Sequence, residues 1–333
     1  MNKIAVVGAG SWGTTVASIA AASTRTVLWA RRKELARAID TDHCNPEYLS
    51  DLTLPETLSA THDLERAIED TEAVVMAVPS HGFREVFTRV AELLPDSVPI
   101  VSLTKGIEQE SLARMTEIVA SVAEGHDPAR TGVLTGPNLA SEIAVGQPAA
   151  SVIAMSDDVA AEELQSLFMG PSFRVYTNDD VIGCELAGAL KNVMAIASGM
   201  SDGLGFGDNT RATLLTRALA ELSRLGVALG GRPETFAGLA GMGDLIATCS
   251  SDKSRNHQVG FGLARGKTLE EIVADMHMVA EGVKTTESVL GLAERTGVDM
   301  PIAAHVGMVL DGDITPREGV LSLMTREAKA EVT

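Results

Sequence analysis

The chain has 333 residues, 45% of them hydrophobic, which is enough for two packed cores; no composition bias or internal repeat marks disorder or a solenoid. Its net charge of −18 argues against nucleic acid or an anionic membrane surface as the main partner. With only eight lysines, any anion site must be built from a few local cations.

Met1-Asn2-Lys3 runs straight into the apolar segment Ile4-Ala5-Val6-Val7, leaving no room for a signal or transit peptide. Gly8-Ala9-Gly10-Ser11-Trp12-Gly13 follows, and a helical pattern begins at once. Strand, glycine turn and helix start together make a dinucleotide fingerprint: Gly8 for the turn, Gly10 for close approach of a pyrophosphate, Gly13 for helix packing. The helix N-terminus offers amides and a positive dipole end to the phosphates. The second strand, Thr26-Val27-Leu28-Trp29, is followed by Ala30-Arg31-Arg32, where an NAD-specific site would usually carry an acid. Arg31 and Arg32 suit a 2′-phosphate instead, so NADP is accepted alongside NAD.

Further buried strands are expected at 73–79, 99–104, 133–135, 151–155 and 173–176, with helices at 81–94 and 111–123 between them; the region after the second strand, with His43 and His62, reads as loop. Continuous apolar runs alternating with helices indicate an α/β, Rossmann-like, doubly wound and mainly parallel sheet, with ligands at the carboxyl ends of its strands. From Val181 onward only helical patterns are found. The expected organisation is a dinucleotide-binding domain over 1–180 and an all-helical substrate domain over 181–333. Val181 to Met200 is apolar but holds Glu185, Lys191 and Asn192, which fits a buried helix rather than a membrane span. Asn209 or Thr210 is the expected cap of a helix running to about Leu225. Cys44, Cys184 and Cys249 form no CxxC pair and read as reduced packing thiols in the cytoplasm.

Three clusters could carry chemistry. Lys105 directly follows a strand, at the ligand-binding edge of such a sheet. Lys191 has Ala187, Gly188, Met194 and Ala195 as its helical neighbours, so no carboxylate on its own helix pairs with it. It either snorkels to water or is desolvated toward the range of a general acid or base. Gly188 leaves space one turn earlier, and Asn192 would orient a ligand oxygen or satisfy Glu185. In the third cluster, Asp244 follows Gly238, Gly241 and Gly243, a setting that would expose its carboxylate. Ser254-Arg255-Asn256 then places a hydroxyl, a guanidinium and an amide at a helix start, which either recognises a phosphate or is a capped helix with an exposed arginine. No metal motif is found, and a hydride transfer needs none if a lysine supplies the proton.

These segments, taken in order, resemble bacterial NAD(P)-dependent sn-glycerol-3-phosphate dehydrogenases over essentially the whole chain. The resemblance rests on residues 8–14, 28–32, Asn45-Pro46-Glu47-Tyr48-Leu49, 102–106, 185–192, 203–210, 241–245 and Ser254-Arg255-Asn256. It implies a 6-phosphogluconate-dehydrogenase-like pairing of domains and reduction of dihydroxyacetone phosphate to sn-glycerol 3-phosphate, the entry to phospholipid backbones. Lys191 is implied as proton donor and acceptor, with Lys105, Gly136, Asp244, Ser254, Arg255 and Asn256 on the substrate. Ser11, Trp12, Arg32, Lys105, Ala140, Arg255, Val279 and Glu281 are implied to line the cofactor. The chain departs from the family at Asn138, where Ser or Thr is usual and which is expected to keep the substrate contact, and at 23–25 and 251–253. A phosphorylated small molecule is thus the expected partner, and a homodimer is admitted. Two other readings stay open: a ketopantoate or hydroxyacid-type reductase, and a non-catalytic NADPH-sensing protein.

Overall fold

The computed structural model describes residues 1–276, 280–328 and 330–331. The first half holds β1 (Lys3–Val7), α1 (Ser11–Ala20), β2 (Arg25–Trp29), α2 (Lys33–Asp42), β3 (Cys44–Asn45), β4 (Leu49–Thr53), β5 (Leu58–Thr61), α3 (Leu64–Ile68) and β6 (Ala73–Met76). It continues with α4 (Ser80–Ala91), β7 (Ile100–Ser102), α5 (Met115–Val122), β8 (Thr131–Thr135), α6 (Ala140–Ala144), β9 (Ala149–Ala154), α7 (Asp158–Phe168) and β10 (Phe173–Asn178). Eight strands form one sheet in the order β10-β9-β8-β7-β6-β1-β2-β5, while β3 and β4 make a separate hairpin. All neighbours are parallel except β8 and β9.

Strands β1, β6 and β7 are buried along their whole length because the sheet is covered on both faces, which is why their sequences run apolar without alternation. Strand order reverses at β1, whose neighbours β2 and β6 lead to opposite ends of the sheet. The carboxyl ends of β1 and β6 are therefore the topological switch point, the place where open α/β sheets generally take their ligands. The segment after β2 is not loop: it holds α2, the hairpin and β5. Helix α2 buries only Leu35, Ala36 and Ile39, and β5 is a four-residue edge strand, too little apolar signal to register in the sequence.

Past β10 come α8 (Val181–Gly203), α9 (Asp208–Ala228), α10 (Pro233–Ala237), α11 (Asp244–Ser250) and α12 (Arg255–Ala264). Four more follow: α13 (Leu269–Asp275), α14 (Glu281–Thr296), α15 (Pro301–Leu310) and α16 (Pro316–Met324). Among the described residues no strand follows β10. Helix α9 starts earlier than expected: extended Gly207 is its N-cap, and Asp208 places a carboxylate in the first turn, so neither Asn209 nor Thr210 is needed as cap. The helix expected over 111–123 begins at Met115, because Ile107 and Arg114 bridge across the preceding loop.

Helix α8 is long and apolar enough to cross a membrane by length and composition, but its apolar window is 83% buried inside the protein. It is the axis of the helical half, packed by α9, α11, α12, α14 and α15. Its contact with α12 is backbone to backbone. A Cβ on Gly199 would stand 1.9 Å from the His257 carbonyl oxygen, and one on Gly260 1.9 Å from that of Ile196. This close approach sets Asn192 on α8 against Asn256 in the first turn of α12.

Gly260→Ala should therefore destabilise the protein by about 1–3 kcal/mol through overpacking. The expected result is a lower urea midpoint at unchanged slope; an unchanged midpoint would contradict the backbone contact.

Candidate active site

Gly8 ends β1 at φ +120°, and a Cβ there would meet the Ala77 carbonyl oxygen at 2.5 Å, so only glycine makes the turn. A Cβ on Gly13 would lie 2.0 Å from the Gly8 carbonyl oxygen, whereas the space over Gly10 is open to 4 Å. Helix α1 carries no side-chain cap and no acid in its first turn. An uncapped helix end facing open space fits a dinucleotide pyrophosphate. Beside it, Trp12 packs edge-on to Phe173 at 6.2 Å, and its Nε1 is buried without a partner. Ala140 begins α6 against α1, where its carbonyl oxygen lies 3.5 Å from Thr15 Oγ1.

Next to this turn sits the β3–β4 hairpin. Asn45 is fully buried and donates to the Ala9 carbonyl oxygen at 3.0 Å and to Thr14 Oγ1 at 2.8 Å. Ser11 Oγ donates to the Tyr48 carbonyl oxygen at 3.3 Å. Arg31 and Arg32 are exposed after β2, and Arg32 forms an ion pair with Glu47 of the hairpin turn.

The second cluster assembles around one carboxylate. Asp244 is 1% exposed, not open as its glycine-rich setting had implied. A π-helical turn over Leu239–Gly243 leads into α11, with a Cβ on Gly241 excluded by the Phe236 carbonyl oxygen at 2.1 Å. That turn drives the aspartate inward. Lys105 Nζ donates to Asp244 Oδ2 at 2.7 Å and to the Gly136 carbonyl oxygen at 2.9 Å. Lys191 Nζ lies 3.1 Å from Asp244 Oδ1 and donates to Thr248 Oγ1 at 2.6 Å. The expectation that Lys191 lacks a carboxylate holds for its own helix only; its partner comes from α11.

Two ammonium groups against one carboxylate leave one surplus positive charge. Burial pulls the Lys105 ammonium down to about 8, against the opposing pull of Asp244 and with added repulsion from Lys191. Gly188 does make room, but for protein: a Cβ there would meet Thr135 Oγ1 at 2.9 Å and the Lys105 stem at 3.6 Å.

Asn192 donates to the Lys105 carbonyl oxygen at 3.0 Å and accepts from Asn256 Nδ2 at 3.0 Å, and Asn256 in turn accepts from the Gly282 amide at 2.9 Å. It does not satisfy Glu185, which is held by Arg114 at 2.9 Å and by the Thr116 hydroxyl at 2.6 Å. Ser254 caps α12 by accepting from the His257 amide. Arg255 is exposed in the first turn, its charge facing Glu281 and Tyr48. Glu281 accepts from Ser80 Oγ at 2.6 Å, joining α14 to α4. Asn138 sits to one side, donating to Ser151 Oγ at 3.0 Å. Val279 lies outside the described residues.

The structure thus brings Lys105, Gly136, Lys191, Asp244, Asn192 and Asn256 into one network, and Arg255 and Glu281 face each other beside its Asn256–Gly282 bond. Sequence reasoning missed Thr248 as a partner of Lys191, although its i+4 spacing from Asp244 was a usable signal. Ser80 was also missed, and Asn45 and Glu47 stood only as part of the resemblance, with no role assigned, since each acts across a long sequence separation.

Comparison with known proteins agrees with this geometry. Residues 3–161 match the family model for the NAD-dependent glycerol-3-phosphate dehydrogenase N-terminus, and residues 180–321 match that for its C-terminus. The chain is 54% identical over 313 residues to glycerol-3-phosphate dehydrogenase (NAD(P)+) 2 of Sphingopyxis alaskensis, covering 94% of this chain and 93% of that one. It is 50% identical over 331 residues to the Mycobacterium avium glycerol-3-phosphate dehydrogenase (NAD(P)+), covering 99% and 96%. The crystal structure of the Coxiella burnetii glycerol-3-phosphate dehydrogenase superposes with a TM-score of 0.93 at 37% identity, covering 98% and 99%. A ketopantoate reductase from Ralstonia eutropha, at 18% identity and a TM-score of 0.57, shares the fold alone. The chain belongs to the NAD-dependent glycerol-3-phosphate dehydrogenase family.

Proposed function

We propose that this protein is an oxidoreductase that reduces dihydroxyacetone phosphate to sn-glycerol 3-phosphate, reversibly, with NADH or NADPH. The observation that carries the reading is the Lys105–Asp244–Lys191 array, a buried, net-positive group beside a dinucleotide turn. Residues 1–180 act as the dinucleotide-binding domain and 181–333 as the substrate and catalytic domain. The end of β10 at Asn178 and the start of α8 at Val181 support that division.

When bound, the reduced nicotinamide supplies the hydride. Gly8, Gly10 and Gly13 shape the pyrophosphate turn, and Ser11, Trp12, Arg31, Arg32, Ala140 and Glu281 line the cofactor. Lys191 gives its proton to the carbonyl oxygen as charge develops there and takes it back in the reverse reaction. Asp244 and Thr248 fix the ammonium in place. Lys105 helps hold the substrate beside Gly136 and Asn138, and Ser254, Arg255 and Asn256 take the phosphate with a guanidinium, an amide and a helix N-terminus.

The ketopantoate-type alternative has only the shared fold behind it. A cofactor-sensing protein without turnover would have no need of a buried two-lysine array, whose burial is costly unless each charge is paired. The thiols Cys44, Cys184 and Cys249 are all unbridged, which supports a cytoplasmic location. A homodimer fits the reading, with Leu321 and Met324 on α16, 64% and 76% exposed, as apolar surface that a second copy would cover.

Following NADPH and NADH oxidation with dihydroxyacetone phosphate, against ketopantoate as control, tests the reaction; turnover of ketopantoate alone would refute it. Lys191→Ala should lower kcat by about 10²–10⁴ with cofactor affinity nearly unchanged. Asp244 retains Lys105 in that variant, so no bare buried charge is created. Retained turnover would remove Lys191 from the chemistry. Arg255→Ala should weaken substrate binding by about 1.5–3 kcal/mol, read as a raised KM. Because Lys105 is charged below about 8 and neutral above it, KM should climb as pH rises through that value. Lys105→Gln should raise KM and flatten this limb; an unaltered limb would assign it to another group.

A further inference from the structure

We propose that Glu47 sets the balance between the two nicotinamide cofactors by competing with a 2′-phosphate for Arg32. The inference rests on the cofactor-site reading above and concerns a residue outside the glycine turn.

The loop after β2 lies where a doubly wound fold places the adenosine ribose. No acid occupies it; Arg31 and Arg32 do, both exposed. The acid comes instead from the β3–β4 hairpin, where Glu47 pairs with Arg32. Its position is enforced from both sides. Asn45, two residues before, is pinned to the Ala9 carbonyl oxygen and Thr14 Oγ1, and it accepts from the Tyr48 amide at 3.2 Å. Tyr48, one residue after, receives the Ser11 hydroxyl. Glu47 is therefore built onto the glycine turn, rather than being a mobile surface acid that met an arginine.

The pair stays accessible, with Arg32 and Glu47 side chains 49% and 40% exposed, so an incoming anion can take the guanidinium. The other titratable groups facing Arg32 are Tyr48 and Glu34 in the first turn of α2. A ribose carrying only hydroxyls leaves the Arg32–Glu47 pair intact and offers donors to the carboxylate. A 2′-phosphate must displace that carboxylate and then sit near it, which costs the pair and adds like-charge repulsion. Glu47 thus taxes the phosphorylated cofactor and spares the other, while Arg31 stays available to either.

The test uses the adenosine fragments, 2′,5′-ADP and 5′-AMP, titrated calorimetrically into the full-length protein and into Glu47→Gln. The variant should tighten 2′,5′-ADP about five-fold, the scale of an exposed ion pair, and leave 5′-AMP within two-fold. Arg32→Ala should weaken 2′,5′-ADP and not 5′-AMP. Equal changes for both fragments in Glu47→Gln, or no change in their ratio, would overturn the assignment. Failure of the unsubstituted protein to bind either fragment would instead overturn the cofactor-site reading. The thermal midpoint of Glu47→Gln should match that of the parent chain; a lower one, with the fragment ratio unmoved, would make Glu47 a structural residue only.

Discussion

Everything at the site depends on one buried carboxylate shared by two lysines. Asp244 comes from α11, Lys191 from α8 and Lys105 from the loop after β7, so the two halves of the chain meet at a single pair of oxygens. Such a group is expensive to bury, and removal of one partner from a buried pair typically costs about 3–5 kcal/mol. Here the geometry offsets the cost: each Asp244 oxygen has its own ammonium, and Thr248 and the Gly136 carbonyl accept remaining protons. The arrangement holds only while α8 keeps its register. Glu185 on Arg114 and Thr116 ties the start of that helix to the sheet half, and Asn192 on the Lys105 carbonyl ties its middle. The Ser80–Glu281 bond adds a third tie from α14.

What could be read in the sequence follows from the range of the physics involved. Buried parallel strands announce themselves as short apolar runs, and the glycine turn is a local steric requirement, so β1 and α1 were legible. Lys191 stood out as a charge on an apolar helix, Lys105 by its place after a strand, and Ser254-Arg255-Asn256 by its combination of donors at a helix start. Their partners were not, because a helical i±4 rule sees only one helix. Asp244 was misread as exposed for a related reason. Glycines allow close packing as readily as openness, and which occurs is decided by Phe236, whose carbonyl lies against Gly241. The hairpin carrying Glu47 was invisible since β3 has only two residues and α2 buries a single narrow stripe.

The same range argument explains how an acidic protein can carry a local site suited to an anion. A net charge of −18 spread over the surface acts at distance and is screened beyond about 8 Å at physiological salt. The lysine array is buried and therefore keeps its field, since a dry site screens little. Its surplus positive charge is created by subtraction: one carboxylate is enough to hold two ammonium groups in place but not to neutralise them. Had each lysine its own acid, the site would be equally stable and electrically silent. With no acid, two ammonium groups could not be buried side by side. A single shared Asp244 satisfies both demands.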